Sequence, residues 1–407
     1  MAVYKQLNAM CEEHNRTNRM VTVNRHPLKS PDFWRYAAGN SFLINIGAEN
    51  LRNGSLCDAI GSLVRFTMLP TIVINHCGSL ENMLISAAQS GRIGRLFSIS
   101  GRFRNYNLFS AFTPEKTLEL IRSQAVADGY PDVDKIVDYA GAFIRIMLLR
   151  YPMNYNGFLA LATRSDDHIK QFGAALGASQ YDLRVIKTED ERGRRFREIL
   201  LKFGQAFSLI LNGENTNTCL ASIGRDTAIY HIWAKSQFQQ CFNREIAAEL
   251  EQLVVRGIRF NLIFSDFSFD KDDLLLEFVK RHRSSVNVLG ISTPDAVTVE
   301  PFEDFEKSIC ASLSTLLLVR TGNESMADFE KVLSLMGAYQ HQEVVANVSR
   351  QDGIVPGFLH KNVGGNINAY ERLRVNMTDA AEYPVIARGH DDTQIHIYHS
   401  MTHCFGM

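Results

Sequence analysis

No stretch of this chain offers the roughly 20 consecutive apolar residues that cross a bilayer. The run from Ala142 to Leu149 is broken by Arg145. The opening segment MAVYKQLNAMCEEHNR carries charges where a secretion signal needs an apolar core. A cysteine framework is missing too. The seven cysteines are odd in number and scattered, and no CxxC occurs, so reduced thiols are expected. Charge of one sign is also lacking. Lys and Arg total 43 against 44 Asp and Glu, a formal net charge of −1, and that balance draws the chain neither to nucleic acid nor to an anionic membrane. Internal repeats and low-complexity tracts are absent. The expectation is a cytoplasmic protein with no direct membrane insertion.

What is there reads as globular. Of 407 residues, 45% are apolar and 21% charged, and that length calls for two or three structural units rather than one core. The first forty residues are polar, with HPLKSP as a breaker. Phe42 to Ile46 has strand character. Thr71-Ile-Val-Ile74 is a β-branched run that ends at Asn75-His-Cys-Gly78, and LENMLISAAQ follows as a helix. Ser79 is the expected N-cap of that helix. Arg95 to Ile99 reads as a further strand.

From Thr113 to about Leu211 the periodicity becomes helical, opening on Thr113-Pro114-Glu115 with proline at the first helical position. Strand and helix then alternate: strands at 227–233, 259–265, 286–291 and 312–319, helices at 243–255, 270–282 and 325–336. The tail from His341 to Gly365 reads as loose, and Thr393 to Ser400 as a last strand. The fold class expected is α/β, a mostly parallel sheet with helices on both faces, plus an inserted all-α subdomain. The units expected are an N-terminal segment 1–69 with an edge strand, a discontinuous core of 70–112 and 212–407, and the helical insertion 113–211. Ligands on such sheets bind beyond the carboxyl ends of the strands, here near Asn75 to Ser79, Asp266 and Ser292-Thr293.

This order of elements resembles the motor domain of the type IV secretion coupling proteins of TraG/TraD type, within the FtsK/HerA group of hexameric ATPases. The stretch LIFSDFSFDKDDLLLEFVKRHRSSVNVLGIST is similar to that family's Walker B strand, its following helix, an arginine-bearing turn and a sensor strand. SLSTLLLVRTGNESMADFEKVLSLMGAYQ and RVNMTDAAEYPVIARGHDDTQIHIYH resemble the later strand-helix unit and the closing segment. The resemblance implies a RecA-like core and a nucleotide site at Gly78, Ser79 and Asp266. It also implies a subunit interface near Arg281 and Arg283.

The departures from that pattern carry as much information. A phosphate-binding loop needs GxxxxGK[ST], because glycines let backbone N–H groups wrap phosphate, lysine meets its charge and the hydroxyl holds Mg²⁺. The dipeptide GK occurs nowhere, and NHCGSLENML stands in its place. Glu81 is expected to put negative charge where phosphate would lie. Asp266 is kept, but Phe267 replaces the catalytic carboxylate, and Ser292 and Thr293 stand where a sensor glutamine belongs. Two independent losses argue against hydrolysis. The expectation is therefore no bound cofactor and no catalytic residue. The chain would be a scaffold or adaptor in conjugation or type IV secretion, with protein partners and a capacity for self-association, and DNA less favoured. The alternatives are a diverged DNA-translocating ATPase with a noncanonical loop, and a nucleotide-sensing regulator.

Other clusters read more plainly. His390, Asp391, Asp392, His396, His399, His403 and Cys404 are metal-capable types without catalytic spacing, and a solvated terminal strand is expected. Arg92, Arg95, Arg102 and Arg104, interleaved with Phe97 and Phe103, are a nucleic-acid pattern set against the simpler reading of strand edges. Cys77, at a strand-to-helix turn, is expected to be a small buried thiol.

Overall fold

In the computed structural model, the structure describes residue 9 and residues 20–23, 41–46, 49–100, 106–186, 191–208, 211, 219–233, 238–267, 269–293, 313–319, 338–347, 364–373, 385–390 and 395–400. Contacts divide the chain into two units, Met1–Ser55 with Thr293–Met407, and Leu56–Ser292.

The second unit is built on five strands: β3 Thr71–Asn75, β4 Leu96–Ile99, β5 Ile229–Trp233, β6 Phe260–Ser265 and β7 Val286–Thr293. Their order is β7-β6-β3-β5-β4, and every pairing among them is parallel. All residues of β3 and β6 are buried. A strand buried without alternation is covered on both faces, which is why Ile72–Ile74 and Leu262–Phe264 are consecutive apolar residues. In the first unit, β2 Ser41–Ile46 pairs parallel with β8 Leu313–Val319. Strand β11 Val385–His390 runs antiparallel to both β8 and β12 Ile395–Ser400, and β1 Met20–Val23 lies parallel to β12. The fold is α/β with a mostly parallel sheet, as expected.

Five described elements escape the sequence reading, strands β1 and β11 among them. Helix α1, Glu49–Thr67, contains Asn53, Gly54 and Gly61, which lower helix propensity. Yet Leu56, Ala59, Ile60, Leu63 and Val64 are all buried, and this i, i+3, i+4, i+7 spacing was the available signal. The segment from His341 to Gly365, read as loose, takes in most of β9 Ala338–Asn347, which pairs antiparallel over ten residues with β10 Gly364–Leu373. Its polar AYQHQEVVAN hides a strand because pairing satisfies the backbone whatever the side chains. The helix expected at 325–336 lies outside the described residues.

Between Pro114 and Ala206 every described element is a helix: α3 Pro114–Ala127, α4 Val133–Leu148, α5 Tyr155–Ala162, α6 Asp166–Ala175, α7 Gln180–Val185 and α8 Glu191–Ala206. Helix α2, Gly78–Gln89, precedes them in the chain. The Thr113 hydroxyl accepts from the Lys116 N–H at 3.2 Å and Pro114 takes the first helical position, the start that the sequence announced. Aromatic rings fill the block. Phe109 meets Phe158 and Phe203 edge-on, with centroids at 5.2 and 5.5 Å, and Phe143 lies 5.0 Å from Phe196.

Helix α9, Gln239–Val255, carries two fully buried carboxyls one turn apart. Glu245 accepts the Phe109 N–H at 3.3 Å, and Glu249 accepts the N–H groups of Leu220 and Ala221. They stitch two loop segments to one helix. Burial pushes the Glu249 carboxyl up to about 7, against the lowering pull of Tyr106 and the backbone donors. Burial, then the neighbouring Glu249, raises Glu245 well above the carboxylate range. Among the described residues no helix is long and apolar enough to cross a membrane.

Candidate functional site

In a parallel sheet the ligand crevice lies beyond the carboxyl ends of the strands, here those of β3, β6 and β7. Strand β3 ends at Asn75 and helix α2 begins at Gly78, so only His76 and Cys77 form the turn. A loop that wraps phosphate needs several more residues with inward N–H groups.

Buried side chains bond that turn from beneath. Asn75 is fully buried, and its Oδ1 accepts the Cys77 N–H at 2.8 Å. Its Nδ2 reaches His231 Nε2 at 2.8 Å, and His231 Nδ1 lies 3.0 Å from Ser98 Oγ. Ser98 and Ser100 both donate to Glu81 Oε1. One proton arrangement satisfies the whole chain: Asn75 donates to His231, His231 to Ser98, and Ser98 to Glu81. A neutral imidazole suits this, and burial lowers His231 to about 4 against the raising charge of Glu81.

Two expectations are corrected here. Ser79 is not the N-cap. The cap is Cys77, whose side chain caps no helix N–H, and Ser79 is the second helical residue, its Oγ 3.1 Å from Cys77 Sγ. The reason is that Asn75 already takes the Cys77 N–H, so the helix starts two residues early, at Gly78. Nor does Glu81 face the crevice. It is buried and held by the two serine hydroxyls, a placement that only the pairing of β4 beside β5 makes available. Replacing Asn75 by Ala should accordingly cost about 2 kcal/mol, since it strands a buried N–H and the imidazole. Replacing Ser79 by Ala should cost only about 0.5 kcal/mol. Urea titrations of the two variants check this, and a larger loss at Ser79 would restore the capping role.

Across the crevice, His76 Nε2 meets Asp272 Oδ1 at 2.9 Å, with the two side chains 8% and 0% exposed. Asp272 sits in the first turn of helix α10, Phe269–Arg281. The turn after β3 is thus tied directly to the helix after β6. Asp266 follows β6 with a left-handed φ of 52°. That conformation lets the Phe267 N–H bond the Ser292 carbonyl at 2.8 Å and drops Phe267 into the core, 4% exposed and edge-on to Phe264. The hydroxyls of Ser265 and Ser292, at the ends of β6 and β7, are buried without a hydrogen-bond partner.

Gly78 and Ser79 thus open helix α2 and Asp266 follows β6, the elements that flank this crevice. Arg281 and Arg283 do not act together. Arg281 is 59% exposed and 3.6 Å from Glu251. Arg283 is half-buried, bonds the Val286 carbonyl at 2.6 Å, and has its pKa lowered by burial. Arg95 stacks over Phe97 with 4.6 Å to the centroid, which favours the strand-edge reading there. Arg102, Phe103 and Arg104 lie outside the described residues. Cys77 is a buried thiol in no disulfide, as are Cys57, Cys219 and Cys241. Among the described residues no group of three or more His, Cys, Asp and Glu could hold a metal. Asp391, Asp392, His403 and Cys404 lie outside them.

Parallel strands, a crevice at their carboxyl ends and a helical block between β4 and β5 define the RecA-like α/β class. Among solved structures, the chain is similar to the bacterial conjugative coupling protein TrwBdeltaN70. Its trigonal form in complex with sulphate aligns over 95% of this chain and 91% of that one, at 10% identity and a TM-score of 0.50. The unbound monoclinic form aligns over 90% and 86%, at 12% identity and a TM-score of 0.48. No protein-family model matches the chain, and no curated protein matches it in sequence.

Proposed function

We propose that this chain is a coupling-protein-like component of a conjugation or type IV secretion system, acting in the cytoplasm as a non-hydrolysing scaffold or adaptor. The observation that carries this is the two-residue turn between β3 and α2, tied to α10 by His76 and Asp272. It leaves no wrapped loop for phosphate, and no lysine stands there to meet its charge. Phe267 in the core removes the usual means of positioning a water. In this reading Gly78, Ser79 and Asp266 are remnants of a nucleotide site, residues 113–211 are an insertion into the core 70–112 and 212–407, and the partners are proteins of the same complex.

The purified chain should show no ATP or GTP turnover, with or without DNA, and no micromolar binding of ATP and Mg²⁺ by calorimetry. Turnover abolished by Asp266→Ala would overturn the reading, because a contaminant could not respond to that change. A second reading, a nucleotide-sensing regulator, draws on the unpartnered hydroxyls of Ser265 and Ser292, since buried polar groups normally find a partner. Micromolar binding without turnover, weakened by Ser265→Ala, would select it.

A further inference from the structure

Away from that crevice, three helices enclose a cleft of about 240 Å³. Helix α3 contributes Lys116, Glu119, Leu120 and Ser123, and α9 contributes Arg244, Ala247, Ala248 and Glu251. Both sets follow i, i+3, i+4, i+7, so each is one face of its helix. Helix α10 adds Leu274 and Arg281. The floor is apolar and low because two of its residues are alanines: Leu120, Ala247 and Ala248 are buried, and Leu274 is half-buried.

The charges on the rim are not balanced. Lys116 is neutralised by Glu119 at 3.2 Å and Glu251 at 2.9 Å. Arg281 reaches Glu251 only at 3.6 Å. Arg244 bonds neutral groups alone, Gln124 Oε1 at 3.2 Å and the carbonyl and hydroxyl of Ser123 at 3.4 and 3.0 Å. Three cations thus face two carboxylates, and the surplus sits on guanidinium groups, whose forked donors match a carboxylate. The volume falls below the roughly 300 Å³ at which small-molecule and cofactor pockets begin. It suits instead a single anchoring side chain of the kind that centres a protein interface.

We propose that this cleft is a docking site for a partner peptide that presents an acidic side chain next to an apolar one. The apolar side chain seats on the alanine floor and the carboxylate bridges Arg244 and Arg281. The inference does not rest on the state of the nucleotide crevice and survives if that reading fails.

Random peptides displayed on phage, selected against the full chain, are the test. Enriched peptides should pair aspartate or glutamate with a neighbouring leucine, isoleucine or phenylalanine. A synthetic peptide of that sequence should bind an Arg244→Ala/Arg281→Ala variant at least about tenfold more weakly, with thermal unfolding unchanged. Leu274→Asp, at a half-buried position of the floor, should abolish binding even if the double variant folds poorly. No enrichment, enrichment without an acidic residue, or binding indifferent to both variants overturns the proposal. So does an oligomer of the chain that the double variant dissociates while no peptide is enriched, because the face would then be a contact between copies.

Discussion

Replacing Glu249 by Gln is expected to stabilise the protein by about 3 kcal/mol at pH 8 and to change it little at pH 4. The Glu249 carboxyl rises from an ordinary 4.5 to about 7 because burial penalises its charge, and each pH unit of that interval is worth about 1.4 kcal/mol. Between 4.5 and about 7 the unfolded carboxyl has released its proton while the folded one keeps it. The folded state then binds more protons, so stability falls as pH rises through that window, and the loss is complete above 7. Glutamine carries no proton to lose. Its carbonyl can still accept the N–H groups of Leu220 and Ala221, and its amide can still face Tyr106.

His231 works in the opposite sense. Burial lowers it from 6.5 to about 4, so folding must expel a proton below 6.5, and stability is lost as pH falls from there toward 4. The two slopes oppose each other between 4.5 and 6.5. The readout is therefore the difference between Glu249→Gln and the unaltered chain, from urea titrations across pH 4 to 8. It should widen steadily with pH and level off near 7. Parallel curves would show that Glu249 does not titrate within this range.

Gly204→Ala is expected to cost about 3 kcal/mol, at the upper end of ordinary overpacking. A Cβ on Gly204 would stand 1.6 Å from the Tyr155 hydroxyl oxygen and 2.3 Å from its Cζ, distances that no side chain tolerates. Tyr155 cannot step aside cheaply. Its N–H bonds the Leu108 carbonyl at 3.0 Å and it begins helix α5 against Phe109. The backbone at Gly204 is ordinary helix, so the glycine serves close approach rather than conformation. The matching check is the cycle with Tyr155→Leu. The two changes together should cost less than their sum, since shortening one neighbour makes room for the other. Strict additivity would show that the two helices do not meet there.

Much of the architecture could be read in the chain itself. The consecutive apolar residues Ile72–Ile74 and Leu262–Phe264 marked buried parallel strands, because a half-exposed strand alternates apolar with polar. Thr113-Pro114 announced the helical block, because a capping hydroxyl and a residue lacking an N–H suit the first turn and little else. The missing GK and the Asp266-Phe267 pair were equally legible, since phosphate chemistry depends on residue type at fixed spacing. Helix α1 and the β9–β10 hairpin were not, because glycines and polar residues there blur local propensity while burial and strand pairing decide the outcome.

The site followed the same division. Local sequence identified which residues border the crevice: His76, Cys77, Gly78, Ser79 and Asp266 all lie within one turn of a strand end, and that follows from the order of elements. Their partners could not be read. Asn75 and His231 are 156 residues apart, and His76 and Asp272 are 196 apart. Such pairs arise only when parallel crossovers set β3 between β5 and β6. That tertiary choice moved the helix cap from Ser79 to Cys77 and turned Glu81 inward to Ser98 and Ser100. The residue types along the chain determined that no GK dipeptide follows β3, whereas strand order, by bringing distant polar groups within bonding distance in a dry interior, decided which side chains bind the turn.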